Sequence, residues 1–420
     1  MTAAHVVTVS SAPLGGDDPA GRLIARELLG EGVPVASRQI VDEDAAALEP
    51  VLGAALASGG LVVVLAPPGG SEGDVVRRAL SRQTGARLVL NDKLHALLQE
   101  DHARRGQAMP HRLDRLALLP QGAALWPVPS GEPGWALELK DAVVAVLPLA
   151  SPHLDALVAE RLLPLARGRA AATGAAVLRT LLTTGLSPTD AEDRLGPWLG
   201  KPGPVAVSAV VVDGDVWVRL LARGASRPAA LAELSPVEVA VRSALGEDCY
   251  GADEDTLEAV VGRLLVERGL TVSTAESCTG GLVGHRLTSI PGSSRYFERG
   301  VIVYSNRAKE ELLGVPEPLL AAHGAVSAPV AEAMARGICR VSGASCGVAV
   351  TGIAGPDGGT PTKPVGTVFI AAAAPAGVDV RHFCFPGGRG AVKWRSAQSA
   401  LDMLRRAVLV RSSGSRRDSG

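Results

Sequence analysis

A chain of 420 residues that is 47% hydrophobic but only 3% aromatic must build its cores from Val, Leu, Ile and Ala, and its length predicts two or three domains. With 42 basic against 43 acidic residues the net charge is -1, which excludes the broad electrostatic footprint of a nucleic-acid or acidic-membrane binder and leaves a small molecule as the expected partner. Cys249, Cys278, Cys339, Cys346 and Cys384 form no CxxC pair, and no uncharged apolar stretch reaches the ~18 residues of a membrane span, so reduced thiols in a cytoplasmic protein are expected.

In chain order, residues 5–10 predict a buried strand, 20–29 a helix, 33–40 a strand, 44–57 a helix and 61–65 a third strand. This alternation predicts a parallel sheet with helices on both faces, whose ligands sit beyond the carboxyl ends of the strands. The segment APPGGSEGD after Leu65 is then the place for a phosphate cradle at Gly69, Gly70 and Ser71 and a carboxylate at Asp74; the plainer reading is a Pro/Gly-rich connection. Residues 179–186 and 188–199 predict helices, 205–222 a hairpin turning at Asp213-Gly214, and 223–230 a flexible connection. Leu257, Val260, Val261, Leu264 and Leu265 mark an amphipathic helix over 253–268, stopped by Gly269. Beyond it, strands are predicted from 271, at 300–305, at CGVAVTG, at 365–374 and at 380–385, and helices at 282–287, 308–313, 329–342 and 391–409. The last ten residues, RSSGSRRDSG, read as a disordered tail.

The chemistry concentrates at TVSTAESCTGG (271–281), where a β-branched run breaks at Ser277 into a glycine pair and then a helix. A hydroxyl at such a turn suits a nucleophile, although an isolated serine there can simply be an N-cap. Cys278 is the competing nucleophile. His285 lies further down the same helix and His323 in HGAVS, and neither makes a Ser-His-Asp arrangement, so Lys309 is the expected base, with Tyr304 relaying a proton. Taken singly, Lys309 reads as an exposed helix lysine and Tyr304 as a ring packed at a strand end. Backbone N–H groups of Thr279, Gly280 and Gly281 are expected to hold an oxyanion. Thr351 and the glycines of GIAGPDGG (Gly352, Gly355, Gly358 and Gly359), together with Asn306 and Arg389, are expected to bind substrate phosphate, ribose or amide.

Motifs AESCTGG, PGSSRYFERG, YSNRAKEELLGV, HGAVS, TGIAGPDGG and KPVGTV occur in one order and spacing over residues 251–410, and this stretch closely resembles the C-terminal domain of the CinA family. The resemblance implies a three-layer α/β amidohydrolase that converts nicotinamide mononucleotide to nicotinate mononucleotide and ammonia, with no cofactor and no metal, in a homodimer. The family's Gly-Asp-Arg-x-x-Val-Arg motif appears here as residues 387–393, with Gly388 in place of the aspartate and Lys393 in place of the last arginine. Lysine keeps the charge but not the bidentate fork.

Residues 1–165, with NDKLHALLQEDHARRGQAMP (91–110) and LALLPQGAALWPVP (116–129), resemble in layout the molybdopterin-binding-like domain of MoaB/MogA type that opens CinA-family proteins. Ser10, Ser11 and Ala12 stand where that domain carries acids; in its loop Ser71 replaces a threonine and Gly73 an aspartate, only Asp74 survives, and LPGVP has become LPLASP (147–152). A degenerate domain is implied, since a pyrophosphatase needs carboxylates for its metal. Residues 166–250 resemble the small α+β KH-like insert of the same family, without the GXXG loop an RNA-binding KH fold uses, so a spacer or dimer contact is implied. The alternatives to the amidohydrolase are a nucleotide-binding, competence-associated protein without turnover, and an N-terminal ADP-ribose pyrophosphatase.

Overall fold

The structure, a computed structural model, describes residues 3–10, 18–67, 74–104, 106–168 and 174–410. The expectations at Ser11, Ala12, Gly69, Gly70, Ser71 and Gly73, and for the tail from residue 411, lie outside the described residues. Packing divides the chain into two compact units: the described residues up to Leu178 with Leu221–Val237, and Arg179–Leu220 with the chain from Glu238.

In the first unit β1 (Ala4–Ser10), α1 (Pro19–Gly30), β2 (Val35–Asp42), α2 (Ala45–Ala57) and β3 (Gly60–Ala66) alternate as the pattern predicts. They are followed by α3 (Asp74–Thr84), a small antiparallel pair β4 (Leu88–Leu90) and β5 (Leu118–Pro120) around α4 (Asp92–Arg104), then β6 (Ala124–Trp126), β7 (Gly134–Glu138) and β8 (Ala142–Pro148). The six-stranded sheet has the order β2-β1-β3-β8-β7-β6; its first four strands are parallel, and β7 and β6 are antiparallel additions. Alternate side chains enter two cores, as a sheet covered on both faces requires. Val6, Val63 and Ala145 meet α1 and the helical stretch of α5 (Leu154–Leu157) and α6 (Leu163–Arg167), while Val7, Val62 and Val144 meet α2 and α3.

A second sheet has the order β10-β11-β9-β12, made of β9 (Ala175–Thr183), β10 (Val205–Val212), β11 (Asp215–Gly224) and β12 (Cys249–Ala252), with α7 (Pro188–Leu195) and α8 (Arg227–Leu245). The hairpin turns at Asp213 and Gly214, both with positive φ (53° and 96°), as an Asp-Gly hairpin turn requires. Three expectations need correction here. Residues 179–186 are not a helix: the β-branched Val177, Thr180 and Thr183 belong to an inner strand, where their restricted χ1 suits the pleat, and the apolar run is too short for its period to decide. Residues 223–230 are not a loose connection but the end of β11 and the first turn of α8. Finally, the helix expected from 253 begins after the N-cap Thr256, whose hydroxyl accepts from Ala259 N–H, because Asp253 takes a positive φ of 55°.

The catalytic-looking motifs lie on a five-stranded sheet, order β14-β13-β15-β16-β17. The elements run α9 (Leu257–Glu267), β13 (Val272–Glu276), α10 (Leu282–Thr288), β14 (Phe297–Ile302), α11 (Asn306–Leu313), α12 (Glu317–His323), α13 (Ala328–Ser342), β15 (Cys346–Gly352), β16 (Thr367–Ala374), β17 (Gly377–Cys384) and α14 (Arg389–Leu409). The β13 strand is parallel to both of its neighbours, and β16 and β17 are antiparallel. Val348 and Ile370 face α9, α10 and α14, whereas Ala349 and Ala371 face α11, α12 and α13, giving three layers.

Candidate active site

Ser277 follows the last residue of β13. Its N–H donates to Val350 O of β15 (2.9 Å), and on the other side Val303 N–H donates to Glu276 O (2.8 Å), so the serine leaves the carboxyl end of an inner parallel strand. Open α/β sheets place their ligands at this edge. The chain then turns back: Gly280 N–H donates to Ser277 O (3.1 Å), and Gly280 and Gly281 adopt φ of 63° and 94°, a left-handed pair that a side chain would strain.

Ser277 is not the cap of the helix that follows. The N-cap is Gly281, and the Glu276 carboxylate accepts from Gly281 N–H (3.0 Å), Val283 N–H (3.1 Å) and Gly284 N–H (2.8 Å). Ser277, 8% exposed, therefore has its hydroxyl left to meet Lys309. That residue sits on α11, whose N-cap Ser305 accepts from Ala308 N–H.

Lys309 is not an exposed helix lysine either; it is 1% exposed. Its Nζ lies 2.9 Å from Val303 O, 3.3 Å from Tyr304 O and 3.4 Å from Ser277 Oγ. Burial pushes its pKa below the ordinary 10.5 because the charged form loses its hydration, while the neighbouring Cys278 pulls the other way. A neutral amine has two N–H bonds and one lone pair. As the ammonium, Lys309 donates to both carbonyls and to Ser277 Oγ; once neutral, it keeps two N–H bonds for the carbonyls and turns its lone pair to the serine hydroxyl.

The competing thiol is of another kind. Cys278 is 5% exposed within the apolar core, and burial pushes its pKa up to about 11. The loop N–H groups of Cys278 and Thr279 stabilise the thiolate less than that desolvation penalises it.

The expected roles of Tyr304, Thr351 and the loop amides are corrected. The Tyr304 phenol does not stand between Ser277 and Lys309; the ring is 60% exposed and its hydroxyl accepts from Arg389 Nη2 (3.0 Å), so only the Tyr304 carbonyl touches Lys309. The Thr351 hydroxyl is buried and donates to Ala325 O (2.8 Å), which takes it away from a substrate. Gly280 and Gly281 spend their amides inside the loop, and the Thr279 N–H is turned to the Cys278 thiol.

The other expected binders are distributed along the same sheet edge. Arg389 opens α14 and donates from Nη1 to Gly355 O (2.8 Å), which joins the glycine loop to the Tyr304 side. Gly355 has φ 80°, and a Cβ there would lie 2.6 Å from Val365 Cγ1. Gly352 packs against Val368 and Gly359 against Val365, Gly358 completes the loop, and Asn306 is the exposed first residue of α11.

One residue was missed by sequence reasoning, and a second was read only as a weakened match to a motif. Glu276 is the missed one, and its signal was an acid at a strand end, one short loop ahead of a glycine-started helix. Lys393 is the other: a Cβ at Gly280 would stand 3.5 Å from Lys393 Nζ, so this lysine lies over the serine loop rather than away from it. A buried nucleophile–amine pair with a guanidinium beyond it can carry out acyl transfer on a small anionic substrate.

Comparisons with known proteins place the chain among relatives. The family model described as the CinA C-terminal domain matches residues 254–408, and that of the damage-inducible protein CinA KH domain matches residues 178–251. A protein of Symbiobacterium thermophilum carrying the name competence-damage inducible protein is 41% identical over 401 residues, 92% of this chain and 93% of its own. A CinA-like protein of Geobacter sulfurreducens is 39% identical over 397 residues, 94% of this chain and 95% of its own. Among solved structures, the competence/damage inducible protein CihA from Agrobacterium tumefaciens is 42% identical and covers 36% of this chain and 96% of its own, with a TM-score of 0.35.

Proposed function

Since the chain belongs to the CinA family, we propose that it hydrolyses the carboxamide of nicotinamide mononucleotide, with Ser277 as nucleophile and Lys309 as base. The observation that carries this is the buried Lys309 Nζ, held by two carbonyls and 3.4 Å from Ser277 Oγ. Catalytic hydrogen bonds in a free enzyme are commonly long and shorten around substrate.

Lys309 takes the Ser277 proton as Oγ forms a bond to the amide carbon. The carbonyl electrons move to oxygen, for which Lys393, with Nζ beside Gly280 of the serine loop, is the donor we assign. As the intermediate collapses, the C–N bond breaks and Lys309 returns the proton to the nitrogen, which leaves as ammonia. Water then attacks the ester, Lys309 takes its proton, and nicotinate mononucleotide leaves as Ser277 is protonated again.

Arg389 uses two of its five N–H bonds on Gly355 O and Tyr304 Oη and offers the rest to the substrate phosphate. Ammonia release from nicotinamide mononucleotide by the native chain, lost in Ser277→Ala, is the test.

A further inference from the structure

The tip of the β10–β11 hairpin ends among buried charges that the serine–lysine chemistry does not use. Asp215 accepts from Gln398 Nε2 of α14 (2.8 Å), and Gln398 Oε1 accepts from Arg286 Nη2 of α10 (2.8 Å). The same Nη2 donates to Glu258 of α9 (2.7 Å). Trp394, one turn before Gln398 on α14, lies against the guanidinium with its ring centre 4.5 Å away. Arg286 is 6% exposed and Gln398 9%. Beside them Gly214 meets the Arg395 side chain of α14, whose Nε would lie 2.9 Å from a Cβ placed there.

Hydrogen-bond chemistry allows one order through this chain. A carboxylate only accepts and a guanidinium only donates, so the Gln398 amide must turn its NH2 to Asp215 and its oxygen to Arg286. Burial raises the Asp215 carboxyl above its usual range, against the lowering effect of Gln398, the Thr184 hydroxyl and the Gly185 N–H. Arg286 spends only Nη2 on this chain; its buried Nε and Nη1 have no hydrogen-bond partner among the described residues, so the guanidinium is held by Glu258, Gln398 and the Trp394 ring alone.

The two helices it joins carry both ends of the candidate site. The α10 helix continues directly from the Ser277 loop, with its Val283 and Gly284 amides on Glu276, and α14 begins at Arg389. We propose that Asp215 is a positioning residue: the hairpin of the KH-like insert is an intramolecular clamp that holds α10 against α14 and so sets Ser277 relative to Arg389. The kinetic part of this inference rests on the amidohydrolase reading; the structural part does not.

The test uses the full chain, Gln398→Glu, and the double variant Asp215→Asn/Gln398→Glu. The single change sets two carboxylates face to face. The double change restores the order in reverse, because the new amide donates to the new carboxylate and the carboxylate still accepts from Arg286. Turnover of nicotinamide mononucleotide and hydrogen exchange of the amides of residues 277–288 are both read. Gln398→Glu is expected to lower kcat/KM about tenfold or more, within the range of coupled buried pairs, and to speed exchange in that segment, with both restored in the double variant. Native kinetics and exchange in Gln398→Glu, or a double variant no better than the single, overturns the clamp. If the native chain releases no ammonia the amidohydrolase reading fails, and the exchange data alone decide the clamp by the same two criteria.

Discussion

Lys309 Nζ and Ser277 Oγ, 32 positions apart in sequence, stand 3.4 Å apart in the interior at the carboxyl edge of a parallel sheet. The relationship follows from two strand ends. Glu276 O holds Val303 N–H, and Val303 O in turn holds the lysine, so the backbone that orders the sheet also places the base.

A base must be neutral to accept the serine proton, and burial lowers the Lys309 pKa below 10.5. As pH rises through the lowered pKa the amine loses its proton, so kcat/KM is expected to climb with pH and level off, with its midpoint below 10.5. A pH–rate profile measures this. Lys309→Met should lower kcat by about 10²- to 10⁴-fold, the usual contribution of a general base, and abolish that limb.

The position of the Tyr304 hydroxyl on Arg389 separates two roles by kinetics. Tyr304→Phe should leave kcat within about threefold of the native value, because no proton passes through the phenol; general acid–base groups contribute far more. Arg389→Ala should raise KM for nicotinamide mononucleotide about tenfold or more while changing kcat less, as expected when binding common to ground and transition states is lost. Steady-state kinetics on both variants provides the measurement.

Cys278 is expected to be inert. With its thiol pushed up to about 11 inside the core, iodoacetamide at neutral pH should fail to label it in the native chain and should label it after denaturation. Cys278→Ala should retain turnover, which sets it apart from Ser277→Ala.

Glu276 holds three backbone amides of the serine loop and the helix after it. Bonds to a charged group are worth more than neutral ones, so Glu276→Ala should destabilise the fold by about 3 kcal/mol or more, read from urea unfolding.

Much of this was legible in sequence because the elements repeat a simple physical code. Val6 and Val7, or Val62 and Val63, divide between two cores, and the continuous apolar runs that result announce a doubly covered sheet. Gly-Gly after Ser277 announced a tight turn, and Asp213-Gly214 a hairpin. The strand at 175–183 was hidden because VLRTLL carries too few residues to separate a period of 2 from 3.6; only its place between β11 and β12 decides. Side-chain direction was equally hidden. Nothing local to Tyr304 says that its ring turns outward to Arg389, 85 positions on, or that Thr351 donates to Ala325 O. Burial of Lys309 likewise depends on helices packed from elsewhere in the chain.

The most direct measurement is ammonia release from nicotinamide mononucleotide by the purified full chain, alongside a Ser277→Ala variant of native circular dichroism. The native chain is expected to release one ammonia for each nicotinate mononucleotide formed, and the variant none. Release by the variant at the native rate, or no release by the native chain, contradicts Ser277 and Lys309 as the reacting pair.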